Sequence, residues 1–115
     1  MKLDDLLPLP PHMFHVLLVL RAGPLHGYAI KREVAAQSAG RIDLDPGGLY
    51  RLIARLEARG AVAEFAPRGE PTDDRKRVFY KLTRAGEQLL LAEARRLSTL
   101  VSSKEVRELL KGVSA

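Results

Sequence analysis

Leu49, Leu52, Ile53 and Leu56 stand at i, i+3, i+4 and i+7, a spacing that an α-helix gathers onto one face. The limits of this helix are written beside it. Asp45-Pro46 supplies an N-cap residue and a proline suited to the first helical position, and Gly60 supplies a stop. The spacing therefore predicts a helix over residues 46–59. Arg51, Arg55 and Arg59 recur every fourth residue on a different face, so this helix has one apolar side and one cationic side. Two short runs follow, 61–66 and 76–82, on either side of a tip from Pro67 to Arg75. They read as an antiparallel hairpin, with Val78, Tyr80 and Leu82 on one face of the second strand and Phe79 and Lys81 on the other. Thr83 then caps a further helix.

The flanking segments complete the plan. Pro8, Pro10 and Pro11 separate a leucine-rich lead (Leu3, Leu6, Leu7) from a first helix that Gly23-Pro24 stops near Ala22. Met13, Phe14 and the run Val16 to Leu20 leave that helix little polar surface, so it is expected to pack inward and also against a partner. A second helix is predicted over 26–38, with Ile30 and Val34 four apart and Gly40 ending it. Arg41-Ile42-Asp43-Leu44 alternates as a very short strand would. In the last helix Leu90, Ala94, Leu97 and Val101 form the apolar stripe, with Arg84, Glu87, Glu93, Arg95 and Arg96 mostly off it. Ser102-Ser103 interrupts it, and Val106, Leu109 and Leu110 indicate a further turn or two. The order α-α-α-β-β-α is mainly α with a small β-hairpin: a winged helix-turn-helix plus a long C-terminal helix. Residues 1–82 form the expected DNA-binding unit with its lead, and 83–115 the dimerisation helix and tail.

Composition removes several functional classes. A chain of 115 residues is enough for one domain with a modest core. With 29% charged and 46% apolar residues it has the balance of a folded protein. The absence of cysteine excludes disulfides and thiolate metal sites and fits a cytoplasmic protein. The longest apolar run, Val16 to Leu20, is too short to span a bilayer, and Asp4 and Asp5 do not suit a signal peptide. His12 and His15 share a helix face but lack a third ligand, so they read as structural or exposed. There is no phosphate loop and no nucleophile with a plausible base, and Asp73-Asp74 lies in a tip ill suited to fixed acid–base geometry. No catalytic residue, metal or cofactor is expected.

What remains is binding. The net charge of +5 is spread along the chain, so the argument rests on where the cations point. The arginine-faced helix can enter a major groove with Gly47 and Gly48 close to a phosphate, Tyr50 and Arg51 reaching phosphates or base edges, and Arg55 following. On the tip, Arg68, Arg75, Lys76 and Arg77 can reach a minor groove or its phosphates. Glu70, Asp73 and Asp74 oppose this unless they cap the turn or pair with Arg75. Two readings stay open at this point: a DNA-binding protein, or a winged-helix module that binds protein. The stripe of the last helix has no obvious partner in so small a domain. Packing it on a second copy, with Phe14, Leu17, Leu90, Ala94, Leu97 and Val101 at the interface, gives a twofold dimer with recognition helices roughly 34 Å apart. The alternative folds it back on the first helix.

The assembled motifs resemble the PadR family of bacterial transcriptional regulators. Gly23-Pro24-Leu25-His26-Gly27-Tyr28-Ala29-Ile30 matches the start of that family's second helix. Pro46-Gly47-Gly48-Leu49-Tyr50 with Leu56-Glu57 and Gly60 matches its recognition helix. Asp74-Arg75 with Phe79-Tyr80-Lys81-Leu82-Thr83 and Gly86 matches its wing and the helix that follows. The likeness covers roughly residues 12 to 100 and points to the short branch of the family. It implies a homodimer that binds an operator, and usually a repressor released by a small-molecule effector. By position it places Tyr50 and Arg51 on DNA, Lys31 near the backbone, Arg75 and Arg77 on the wing, and Tyr28 between the second and third helices as a structural residue. Gly48 stands where the family usually has Thr or Ser. Short members can hold flat aromatic drugs between tryptophans, and this chain has no Trp.

Overall fold

Helices begin where the sequence offers a proline or a capping side chain beside an apolar face. The structure, a computed structural model, describes residues 3–66 and 78–113. A 3-10 turn (Leu3–Leu6) precedes α1 (Pro11–Leu20), with Pro11 at the first helical position. In α2 (Gly27–Gln37) the cap is His26, whose Nδ1 accepts the Ala29 N–H at 3.2 Å. Asp45 occupies the cap position of α3 (Pro46–Ala58) in extended conformation, and its side chain makes no capping hydrogen bond. Thr83 does cap α4 (Arg84–Val101): its hydroxyl accepts the Gly86 N–H at 3.0 Å and donates to the Gly60 carbonyl at 2.5 Å. α4 stops at Ser102, and α5 (Lys104–Val113) restarts with Ser103 Oγ accepting the Val106 N–H at 3.2 Å. The interruption expected at Ser102-Ser103 is present, and the segment beyond it is a full helix of 10 residues.

The sheet has three strands, not the two of the expected hairpin. β1 (Leu25–His26), β2 (Val62–Phe65) and β3 (Phe79–Leu82) are ordered β1-β3-β2 and run antiparallel. Leu25 faces Tyr80 across β1 and β3, and Val62 faces Leu82 across β2 and β3. The strand expected at 41–44 is absent. Its alternation is nevertheless real burial: Ile42 and Leu44 are buried while Arg41 and Asp43 are exposed. The segment is extended without a neighbouring strand, held in part by the Ile42 N–H donating to Ser38 Oγ at 3.0 Å.

One core joins all the helices except α5. Met13, Val16, Leu17 and Leu20 of α1 meet Ile30 and Val34 of α2, Leu49, Ile53 and Leu56 of α3, Val62 and Tyr80 of the sheet, and Leu89 and Leu90 of α4. Burying each such aliphatic side chain contributes about 1.5–3 kcal/mol. Leu17 and Leu90, expected at a dimer interface, are instead consumed by this core and have no surface left to offer. The first half of α4 therefore packs into the same core as α1, α2, α3 and the sheet. Gly86 makes the docking possible, because a Cβ there would collide with the Ala61 carbonyl oxygen.

Glu93, expected off the apolar stripe, is buried at 2% exposure. Its carboxylate accepts the Leu9 N–H at 3.1 Å, Arg96 Nε at 2.6 Å and Arg96 Nη2 at 2.9 Å. The Arg96 hydrogen bond, helped by its charge and by the Leu9 amide, outweighs burial and holds the carboxyl below its ordinary range. Glu93 thus fastens the lead segment to α4 while Leu9 fills the core beneath.

Candidate nucleic-acid interface

The arginine side of α3 is open. Leu49, Leu52, Ile53 and Leu56 are buried, which leaves Gly47, Tyr50, Arg51, Ala54, Arg55 and Ala58 exposed. Small residues alternate with long ones on this face, so it projects two arginines and a tyrosine from a slim helix. A helix of this width fits a major groove, and Arg is the usual bidentate partner of guanine. Arg59, the third arginine of the repeat, turns away: its Nη1 donates to Met13 Sδ at 2.8 Å, against α1.

Gly47 and Gly48 make room for side chains of the same helix end. A Cβ at Gly47 would stand 3.2 Å from Arg51 Nη1, and one at Gly48 would stand 2.6 Å from Asp45 Oδ1. The Asp45 carboxylate and the Arg51 guanidinium thus both lie over the first turn of α3. The space expected to receive a phosphate at Gly48 is shared with the Asp45 carboxylate.

Tyr28 and Tyr50 are both exposed, and Tyr50 also touches α2. Tyr28, read as structural, is 66% exposed, with the Arg32 guanidinium carbon 5.7 Å from its ring centroid. Tyr50 is 51% exposed, yet its hydroxyl end rests on the first residue of α2. A Cβ at Gly27 would lie 2.5 Å from Tyr50 Oη. The reason is positional. Gly27, Ile30 and Val34 face inward, so Tyr28 and Arg32, four apart, share an outer face. That spacing was visible in the sequence and marks Tyr28 as a surface residue. Lys31, expected near the DNA backbone, is held by Asp43 Oδ1 at 2.7 Å.

The expected wing residues Arg68, Arg75, Lys76 and Arg77 lie outside the described residues. At the base of the hairpin Lys81 Nζ sits 5.6 Å from the Phe65 ring centroid, and Phe79 packs edge-on to His26 at 5.4 Å. His15 Nδ1 is 2.7 Å from Gln37 Oε1, and its ring meets Phe14 edge-on at 6.2 Å. No group of three or more His, Asp or Glu among the described residues could hold a metal. None of the described helices is long and apolar enough to cross a membrane.

The remaining candidates mark a second open surface. Phe14, Ala94 and Leu97 are half-buried and Val101 is exposed. Leu100, Leu109 and Leu110 are more than half exposed beside them in sequence. α5 is strongly amphipathic, with Val106, Leu109 and Leu110 on one side and Lys104, Arg107, Glu108 and Lys111 on the other.

The likeness to known proteins agrees with this arrangement. A model of the transcriptional regulator PadR-like family matches residues 16–92. An uncharacterized 37.1 kDa protein in transposon TN4556 of Streptomyces fradiae is 44% identical over 85 residues, which are 74% of this chain and 22% of that protein. The chain thus spans about a fifth of that relative's length. Among solved structures, a PadR family transcription regulator from Clostridium difficile matches with a TM-score of 0.71 at 18% identity, covering 88% of this chain and 99% of that one. RosR of H. salinarum matches at 0.67 and 23% identity over 96% and 94% of the two chains. BldR from Sulfolobus solfataricus matches at 0.62 and 23% over 98% and 76%. At these identities the structures establish a shared fold.

Proposed function

This chain belongs to the PadR-like family of transcriptional regulators, and from that premise we propose that it acts as a homodimeric, sequence-specific DNA-binding repressor released by a small-molecule effector. The observation that carries the DNA-binding part is the open face of α3, where Tyr50, Arg51 and Arg55 project between small residues. In this reading Arg51 reads a base edge, Tyr50 and the backbone at Gly47 and Gly48 approach phosphate, and Arg55 continues the contact. Arg68, Arg75, Lys76 and Arg77 follow the adjacent groove. Lys31 steadies the loop before α3 through Asp43.

Dimerisation is supported by the half-buried Phe14, Ala94 and Leu97 and by the exposed apolar residues Val101, Leu109 and Leu110. A second copy would cover them with the same residues, since a twofold interface is self-complementary. Release by an effector follows the family habit.

The test is a gel shift with DNA from upstream of the protein's own gene, in excess competitor, with salt varied. A discrete complex that survives competitor and weakens as salt rises is expected, because phosphate contacts release counterions. Arg51→Ala should cost about 1–3 kcal/mol of binding and relax discrimination at one operator position. Weak binding, equal for every sequence, would overturn the reading and favour a protein partner.

A further inference from the structure

Tyr28 and Arg32 form an exposed pair that the DNA-contact set above leaves out. Two cations lie on α2, Lys31 and Arg32. Lys31 is neutralised by Asp43 at 2.7 Å. Among the described residues Arg32 forms no ion pair, and its guanidinium lies over the Tyr28 ring. An aromatic face orients a guanidinium electrostatically while leaving its N–H donors unspent. A cation held in this way is ready for an anion.

Its place relative to α3 is fixed by Gly27. Tyr50 rests against that glycine, and Tyr28 is the next residue. The open faces of α2 and α3 therefore join through the Gly27–Tyr50 contact, with Arg32 and Tyr28 on one side and Tyr50 and Arg51 on the other. A duplex that receives α3 in its major groove brings a sugar–phosphate strand along the groove's edge, where a neighbouring helix meets it.

We propose that the Tyr28–Arg32 pair is a phosphate clamp on the DNA backbone flanking the groove read by α3, with Arg32 as the charged contact and Tyr28 holding it in place. The proposal rests on the DNA-binding reading above and extends it to a surface that Lys31 was expected to supply. Phosphate contacts set register and affinity but carry no base information, so the clamp should act equally on every sequence.

The experiment measures affinity for the operator and for single-base operator variants as a function of salt, for the parent, Arg32→Ala, Tyr28→Ala, Lys31→Ala and Arg51→Ala. Both clamp residues are exposed, so the variants should fold as the parent does, as checked by circular dichroism. Arg32→Ala should flatten the log–log salt dependence by roughly two units, one for each protomer of the dimer, and weaken all operators by the same factor. Tyr28→Ala should reproduce part of that effect, and Lys31→Ala should change the slope less than Arg32→Ala. Arg51→Ala should instead alter the ranking of operator variants. A parental slope and affinity in Arg32→Ala, with the parent binding normally, would overturn the clamp alone. A change in operator ranking with Arg32→Ala would also overturn it, because a base contact would then be involved. A parent that binds no DNA would overturn both the clamp and the function it rests on.

Discussion

The two ends of α4 live in different surroundings. At its start Gly86, Leu89, Leu90 and Glu93 are sealed into a core shared with α1, the lead and the sheet. At its end Leu100 and Val101 are exposed, and α5 continues the exposure through Leu109 and Leu110. The first region satisfies its apolar surface within one chain. The second does not, although its pattern is the more regular. An isolated ten-residue helix is marginal in water, so a helix of that length with a clean apolar side is best understood as half of an interface. Periodicity reports that a face must be covered; only the fold reports whether the chain itself covers it.

Three perturbations would break or sharpen this contrast. The largest effect is expected in the closed region. Leu56 is fully buried, and Leu56→Ala should lower unfolding free energy by about 2–5 kcal/mol in urea titrations. Leu97→Asp should act on the open region: if a second copy packs there as proposed, the charge should shift the protein from dimer to monomer in sedimentation while the near-native circular dichroism spectrum persists. A mutant that still sediments as a dimer would place the interface elsewhere.

The smallest effect concerns the junction. Glu93→Gln keeps the shape but weakens the bonds to Arg96, and should cost about 1–3 kcal/mol at neutral pH. Because the Glu93 carboxyl titrates below its ordinary value in the folded protein, its contribution is complete above the unfolded-state value of about 4.3. It is lost as pH falls through the lower folded value. Parent and variant should therefore converge in stability under acid. A constant gap across that range would mean that the charge is not what matters at this site.

Much of the fold was legible because its signals are local. The i, i+3, i+4, i+7 leucines of α3, the proline at its start, the Thr83 cap and the serine break all depend on residues within a turn of one another. The misreadings are long-range. β1 is only Leu25–His26, too short for any alternation, and exists because β3 offers it an edge. Residues 41–44 alternate correctly but find no strand. Leu17 and Leu90 have the same chemistry as interface leucines, and only packing shows that α1 and the start of α4 have already used them. Glu93 looks like a surface glutamate until Leu9 and Arg96 close around it. On the candidate site, the cationic face of α3 was readable from spacing, whereas the seat of Tyr50 on Gly27 depends on how α2 and α3 meet.

The seat of Tyr50 on Gly27 bears on how such a protein is re-engineered. A designer who moves the α3 surface residues into a relative to transfer its operator preference carries only half of a lock. If the recipient has any side chain at the position of Gly27, the transplanted tyrosine loses its seat and swings outward with Arg51 beside it. If Gly27 is kept and Tyr50 is exchanged for a small residue, a notch opens between the two helices. If α3 reads DNA as proposed, position 27 belongs in the same cassette as positions 47, 50, 51 and 55.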